Sequence, residues 1–168
     1  MDSNNKYNIK VKICLVGDAS VGKTSLIRRY VLDVFDDKYI NTLGTKVSKK
    51  KIIIKKDDRI INLTFSIWDI LGQEDFKKIQ AMALSGSKGT MFVCDLTRKD
   101  TLTRLDYWFN KVKDVAGDIP CILLANKSDL KDQYTFNNNE LKEVAEKMNA
   151  QYFYTSAKEG ENVIKSNV

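Results

Sequence analysis

Apolar positions along the chain follow two rhythms. From Lys10 to Val16 they alternate, with Val11, Ile13 and Leu15 on one side, which predicts a strand. Gly22 to Tyr30 reads as a helix. Lys46–Lys56 and Ile60–Trp68 are β-rich, and the short polar turn Asp57-Asp58-Arg59 between them predicts an antiparallel hairpin. Thr90–Cys94 and Cys121–Ala125 are continuous apolar runs, the pattern of strands buried on both faces of a parallel sheet. Between these runs Leu102, Leu105, Phe109 and Val112 recur at helical spacing, starting just after Asp100, a residue suited to cap a helix. Leu141, Val144, Ala145 and Met148 do the same after Asn137-Asn138-Asn139, and Gln151–Thr155 predicts one more strand.

Strands that alternate with helices predict an open α/β sheet with right-handed crossovers. In such sheets ligands sit beyond the carboxyl ends of the strands, so the loops that follow the strands should build the site. The chain shows no internal repeat, Gly- or Pro-rich linker or low-complexity tract, and Pro120 is its one proline. It divides into a polar N-terminal extension, residues 1–8, and one domain, residues 9–168.

Composition narrows the chemistry. The 168 residues include no histidine, which excludes a Ser-His-Asp or Cys-His catalytic set and any histidine-containing zinc site. Cys14, Cys94 and Cys121 form no CxxC and read as small apolar core residues of a reducing compartment. No run approaches the ~18 apolar residues of a membrane span. The start of the chain carries no signal-peptide stretch, and no cysteine for a prenyl group stands at its end. A cytoplasmic location is the expectation, with no lipidation motif to support membrane association.

Four loops carry candidate chemistry. Gly17-Asp18-Ala19-Ser20-Val21-Gly22-Lys23-Thr24 matches GxxxxGK[ST] between a predicted strand and a predicted helix, the context that confirms a phosphate-binding loop. Its glycines let backbone N–H groups point at phosphate oxygens, Lys23 brings positive charge to the β- and γ-phosphates, and the Thr24 hydroxyl is suited to Mg²⁺. After the strand ending at Trp68 comes Asp69-Ile70-Leu71-Gly72-Gln73-Glu74. An aspartate at a strand end can hold Mg²⁺ through water, Gly72 can bring a backbone N–H to the γ-phosphate, and Gln73 can orient an attacking water. Alone this loop would read as an ordinary turn; beside a phosphate loop it gains weight. Asn126-Lys127-Ser128-Asp129 follows the second buried run. An aspartate is acceptor-only and matches the adjacent N1–H and 2-amino donors of guanine, a pair adenine lacks. The Lys127 stem can lie over a base plane. Thr155-Ser156-Ala157-Lys158 ends the last strand, where small residues let a backbone N–H approach the base oxygen.

These four loops, in this order and spacing, resemble the Ras superfamily of small GTPases over Lys10 to about Asn162. Trp68-Asp69 and Val93-Cys94-Asp95-Leu96-Thr97 resemble the Rab branch. The resemblance implies a P-loop G domain: an open, mostly parallel six-stranded sheet with one antiparallel edge strand and helices on both faces. It implies GTP or GDP as ligand with Mg²⁺, held by Asp18, Ala19, Ser20, Val21, Gly22, Lys23, Thr24, Ser25, Phe35, Tyr39, Thr42, Gly72, Asn126, Lys127, Asp129, Ser156, Ala157 and Lys158. Phe35 would stack edge-on to guanine, Tyr39 would lie over the phosphates and Lys158 would support the base loop. Thr24, Thr42 and Asp69 would form the Mg²⁺ shell, and Gln73, Lys23 and Thr42 would serve GTP hydrolysis. Activating, exchange and effector proteins would meet the two switch loops, 36–45 and 72–83. Intrinsic hydrolysis would be slow, on the order of 10⁻⁴ s⁻¹. Arg28 and Arg29 on the first helix read as solvent-exposed charges, so the arginine that speeds hydrolysis would come from an activating protein.

Three departures stand out. Ala19 occupies a position that is glycine in many Ras members. Ile70-Leu71 replaces Thr-Ala before Gly72, putting bulk at a hinge. Leu43-Gly44-Thr45-Lys46-Val47 lacks the acidic-aromatic pair usual in Rabs, which leaves the subfamily open. The strand over 46–56 carries Lys46, Lys49, Lys50, Lys51, Lys55 and Lys56. These protect a sheet edge, or meet an acidic partner or an anionic membrane. Nucleic acid fits less well, since 5 of the 28 basic residues are arginine and no aromatic-lined basic groove is evident.

A nucleotide-locked scaffold that binds GTP or GDP without turnover is the alternative to a hydrolysing switch. A P-loop metabolic kinase would need a lid that no segment supplies. Ten residues follow Lys158, where the family places a full final helix, so that helix is expected to be truncated or absent. A partner or a second copy would then cover the sheet face it leaves.

Overall fold

The computed structural model describes residues 6–35, 44–57, 59–72 and 77–163. In chain order these form β1 (Lys6–Val16), α1 (Lys23–Leu32), β2 (Lys46–Lys56), β3 (Arg59–Asp69), α2 (Lys77–Leu84), β4 (Gly89–Asp95), α3 (Lys99–Thr103), α4 (Leu105–Ala116), β5 (Cys121–Asn126), a 3₁₀ turn (Lys131–Gln133), α5 (Asn138–Lys147) and β6 (Gln151–Thr155). The strands make one six-stranded sheet in the order β2-β3-β1-β4-β5-β6. The edge strand β2 runs antiparallel to β3, and every other pair is parallel. The expected α/β sheet with one antiparallel edge is therefore present.

The sheet has two cores because alternate side chains point to opposite faces. On one face Cys14, Val16, Phe92, Cys94, Leu123 and Ala125 meet Leu84 of α2, Leu102 of α3, Leu105, Trp108 and Val112 of α4, and Leu141 and Ala145 of α5. On the other, Leu15, Ile67, Val93 and Leu124 meet Leu26 and Ile27 of α1. The three cysteines are free. Cys14 and Cys94 are buried and Cys121 half-buried, as the core reading expected; burial pushes all three thiols up.

Several boundaries differ from the pattern reading. β1 starts at Lys6, so residues 6–8 of the polar N-terminal extension belong to the sheet, paired with Ile60, Ile61 and Asn62 of β3. Helix α2 was not expected. The single helix predicted after Asp100 is two pieces, α3 and α4, broken at Arg104. Asp100 does not cap it. Arg98 sits at the cap position with extended backbone, so Asp100 falls inside the first turn and takes the Arg98 guanidinium at 3.2 Å. The Thr101 hydroxyl accepts the Asp95 N–H at 2.9 Å. Asn137, by contrast, does cap α5 through a reciprocal box with Glu140. Of the ten residues after Lys158 where a final helix was expected to be truncated or absent, 159–163 hold turns and no helix, and 164–168 lie outside the described residues.

Candidate functional site

The loop from Gly17 to Thr24 leaves the carboxyl end of β1 and enters α1 through Gly22, whose φ of 99° is left-handed. Two contacts make its glycines irreplaceable. A Cβ on Gly17, at φ +145°, would stand 2.2 Å from the Val93 carbonyl oxygen, and one on Gly22 would stand 2.2 Å from Asn126 Nδ2. Lys23 is buried and donates to the carbonyls of Gly17 and Asp18, each at 2.7 Å. Its ammonium is thus curled inside the loop. Burial pushes its pKa down to about 8, against the pull of Asp69 and then Asp18.

Asp69 ends β3 beside α1. Its Oδ2 accepts the Thr24 hydroxyl. Its Oδ1 is buried with no hydrogen-bond partner. Burial raises the Asp69 pKa, opposed by Thr24 and the nearby Lys23 and Lys46. An orphaned buried carboxylate oxygen next to a hydroxyl fits a hard cation with oxygen ligands, so Thr24 and Asp69 suit Mg²⁺. Gly72 lies directly on the phosphate loop, where an added Cβ would come within 2.5 Å of the Ala19 nitrogen. Ile70 and Leu71 are buried, and the Leu71 carbonyl accepts from Gln80 Nε2 at 2.7 Å. The bulk at this hinge is therefore hidden in the protein. Tyr39, Thr42 and Gln73 lie outside the described residues.

The last two loops are built around Asn126. Its Nδ2 donates to the Val21 carbonyl at 2.9 Å, and its Oδ1 accepts from Thr155 Oγ1 and the Ala157 N–H, each at 3.3 Å. One side chain thus ties the phosphate loop to the loop after β6. Ser156 Oγ donates to Asp129 Oδ1 at 2.6 Å, which orients the carboxylate. Lys127 holds a left-handed φ of 69° and pairs with the fully buried Asp95 at 2.5 Å, which fixes the course of its stem. Lys158 is exposed, and Phe35 packs against the α1-side core.

Several side chains here do otherwise than the sequence reading expects, or were not part of it. Arg29 is not a solvated helix charge. Its side chain is 17% exposed, and it donates to the carbonyls of Ala157 at 2.8 Å and Lys158 at 2.5 Å, binding α1 to the base loop. Arg28 is likewise half-buried. Asp18 was expected to hold ligand, but its carboxylate is engaged by Arg104 at 2.6 Å and by Trp108 Nε1 at 2.8 Å, leaving its backbone for that task. Arg98 donates to the Ala19 carbonyl at 3.1 Å. No local pattern signals these roles, since each partner is distant in sequence.

A phosphate-binding loop at the carboxyl edge of a parallel sheet, joined through one asparagine to a loop with an oriented carboxylate, defines a P-loop nucleotide-binding protein. Comparison with known proteins makes this specific. The model of the Ras family matches residues 12–166. The chain is 33% identical over 156 residues to the Ras-related protein Rab-21 of Geodia cydonium, covering 92% of this chain and 66% of that protein. It is 30% identical over 168 residues to Rab-27B of Rattus norvegicus, and 32% identical over 161 residues to RABD1 of Arabidopsis thaliana, in each case covering 95% of this chain and 77% of the relative. The chain belongs to the Ras superfamily of small GTPases and is Rab-like.

Proposed function

We propose that this chain is a GTP/GDP switch that hydrolyses GTP slowly and signals through the loops 36–45 and 72–83. The observation that carries the reading is Asn126. It joins the loop that would cradle phosphates to the loops that would read guanine, so one nucleotide can span both.

In this reading Asp129, held by Ser156, accepts N1–H and the 2-amino group of guanine. The Ala157 N–H lies beside the base oxygen. The phosphate loop wraps the β-phosphate, and Lys23 turns from the Gly17 and Asp18 carbonyls to the phosphate oxygens. Thr24 and Asp69, with Thr42, would hold Mg²⁺, which would supply positive charge to offset that of the phosphates. Gln73 orients water for in-line attack, giving GDP and phosphate. Gly72, pressed on Ala19, is placed to feel the γ-phosphate and pass its loss to the second switch. Exchange, activating and effector proteins would act on these loops, and the location is proposed as cytoplasmic.

Two measurements test this. Nucleotide released from the denatured purified protein should be GDP or GTP; ATP or ADP would overturn the base reading. Single-turnover hydrolysis should run near the order of 10⁻⁴ s⁻¹ and fall in Gln73→Leu. A rate above about 1 s⁻¹ for the isolated chain would remove the need for an activating protein. Hydrolysis that is undetectable and unchanged by Gln73→Leu would favour a nucleotide-locked scaffold.

A further inference from the structure

The face of β2, β3 and β1 that carries Trp68 holds a charge pattern that nucleotide binding does not use. Strand register sets it out in rows. Lys49 lies opposite Ser66, which lies opposite Lys12; Lys51 opposite Thr64 and then Lys10; Lys55 opposite Ile60 and then Lys6. Between the last two rows, Ile53 faces Asn62 and Asn8. Two lysine columns therefore flank a central column of Ser66, Thr64 and Asn62. No acid occupies any of these register positions.

The columns stand on strands two spacings apart, about 10 Å, and lysines within a column repeat about every 6.6–6.8 Å where they are successive. The lysines other than Lys12 are exposed. Lys12 donates to the Ser85 carbonyl at 2.7 Å and lies 3.9 Å over the Trp68 ring. Among the described residues none of the six has an acidic partner.

Edge protection explains part of this. β2 is an edge strand, and β1 meets β4 only from Ile13 onward, so both columns border open edges. Protection accounts for lysines on each edge, but it does not call for two lysine columns set in matching rows across β3. A single sign on two columns that flank a neutral strand focuses a field on an anion.

We infer that this face binds an extended acidic segment of a partner protein, lying along β3 with carboxylates directed alternately to the two lysine columns. An extended chain sends successive side chains to opposite sides, and each side repeats at the same 6.6–6.8 Å as the lysines. The Ser66 and Thr64 hydroxyls lie in the trough as donors to carboxylates or backbone carbonyls, while Asn62 Nδ2 donates to Asn8 Oδ1 at 2.9 Å. A lipid surface fits less well. Each strand is rotated by about 20–25° from the next, so three strands do not present one plane to a bilayer. Nucleic acid would want an open aromatic platform, and Trp68 is covered by Lys12. This proposal is independent of the nucleotide reading.

The test uses the full chain with GDP added, and a fluorescein-labelled oligo-glutamate peptide read by anisotropy, with oligo-glutamine as the neutral control. Oligo-glutamate should bind, more weakly at physiological than at low ionic strength, and oligo-glutamine should not. Lys10→Glu/Lys51→Glu should weaken binding about tenfold or more. Lys142→Glu/Lys147→Glu on α5, equal in charge change, should stay within about twofold. If the glutamate variant misfolds, Lys10→Gln/Lys51→Gln gives the same comparison, and peptide-induced amide shifts should cluster on Lys10, Lys51, Thr64 and Ser66. Equal weakening by the α5 variant, absence of oligo-glutamate binding, or phosphatidylserine-vesicle binding that Lys10→Glu/Lys51→Glu abolishes without any peptide binding would each overturn the proposal.

Discussion

The two faces of the sheet are made of the same kind of strand, and burial extends further along the strands on one than on the other. On the side of α2, α3, α4 and α5, Cys14, Val16, Phe92, Cys94, Leu123 and Ala125 are fully buried. On the side of α1, Val93 and Leu15 are as deeply buried, but Met91 and Ile122, next in sequence to Phe92 and Leu123, remain half-buried, as do Phe65 on β3 and Phe153 on β6. Alternation assigns a side chain to a face; helices decide whether that face is dry. The thinly covered face is also the one that ends in the site. α1 begins at Lys23, and Ala157 of the base loop is part of its core. Packing on the α1 side is thus continuous with the site, while the other side reaches it through Arg98, Arg104 and Trp108, which hold the Ala19 carbonyl and the Asp18 carboxylate.

The largest expected effect separates the faces directly. Phe92→Ala, on the four-helix side, should cost about 3–5 kcal/mol, close to the whole stability of a small domain at its low end. Phe153→Ala, on the α1 side, should cost about 1–2 kcal/mol, since part of its ring is already in water. Urea denaturation of both variants at one fixed GDP concentration gives the comparison. Equal losses would break it, and would mean that the α1 face is covered in solution as fully as its opposite.

The Arg29 tether should come next. Arg29→Ala removes two charge-assisted bonds to the Ala157 and Lys158 carbonyls, each worth about 1.5–3 kcal/mol. The expected loss falls on nucleotide retention more than on folding, because the base loop is released while the four-helix core is untouched. Release of a fluorescent GDP analogue should speed up about tenfold or more, with Arg29→Lys intermediate. An unchanged release rate, with a lowered denaturation midpoint, would make Arg29 a packing residue only.

What was legible in the sequence follows the same division. Buried parallel strands announced themselves as continuous apolar runs, so β4 and β5 were found to within a residue. The loops that hold chemistry were legible because their residue types are unusual together: Gly17, Gly22, Lys23 and Thr24 in one, Asn126 and Asp129 in another. The arginines were not. Arg29, Arg98 and Arg104 look like solvent charges until the fold brings a carbonyl or Asp18 against them, and a one-dimensional pattern carries no record of a partner 128 residues away. α2 was missed because Lys77-Lys78-Ile79-Gln80-Ala81-Met82-Ala83-Leu84 offers few apolar repeats, and its buried polar Gln80 breaks the stripe. Asp100 misled because the cap moved back to Arg98 when Thr101 bonded the end of β4.

The starts of α5 and α1 give a finer comparison across the two sides. α1 has no side-chain cap, and its start is shaped by the left-handed Gly22 and the loop before it. α5 carries its own cap, with Asn137 Oδ1 accepting from the N–H groups of Asn139 at 2.9 Å and Glu140 at 3.1 Å. Asn137→Ala should therefore cost about 1 kcal/mol in denaturation and leave GDP release unchanged. A change in release would show that α5 also serves the site.

The smallest effect is the proton linkage of that cap. Lys99, paired with Glu140 at 2.5 Å, is the first cause that holds the Glu140 carboxyl below its ordinary 4.5, and the Asn137 N–H is the second. A carboxylate lowered in the folded state stabilises at pH above its unfolded value. That contribution is lost as pH falls through the lowered folded value. Glu140→Gln keeps an acceptor for the Asn137 N–H but cannot titrate. The difference in melting temperature between the native chain and Glu140→Gln should thus be constant near neutrality and shrink on acidification below 4.5. A difference that stays constant through that window would assign the box to hydrogen bonding alone, with Lys99 adding nothing.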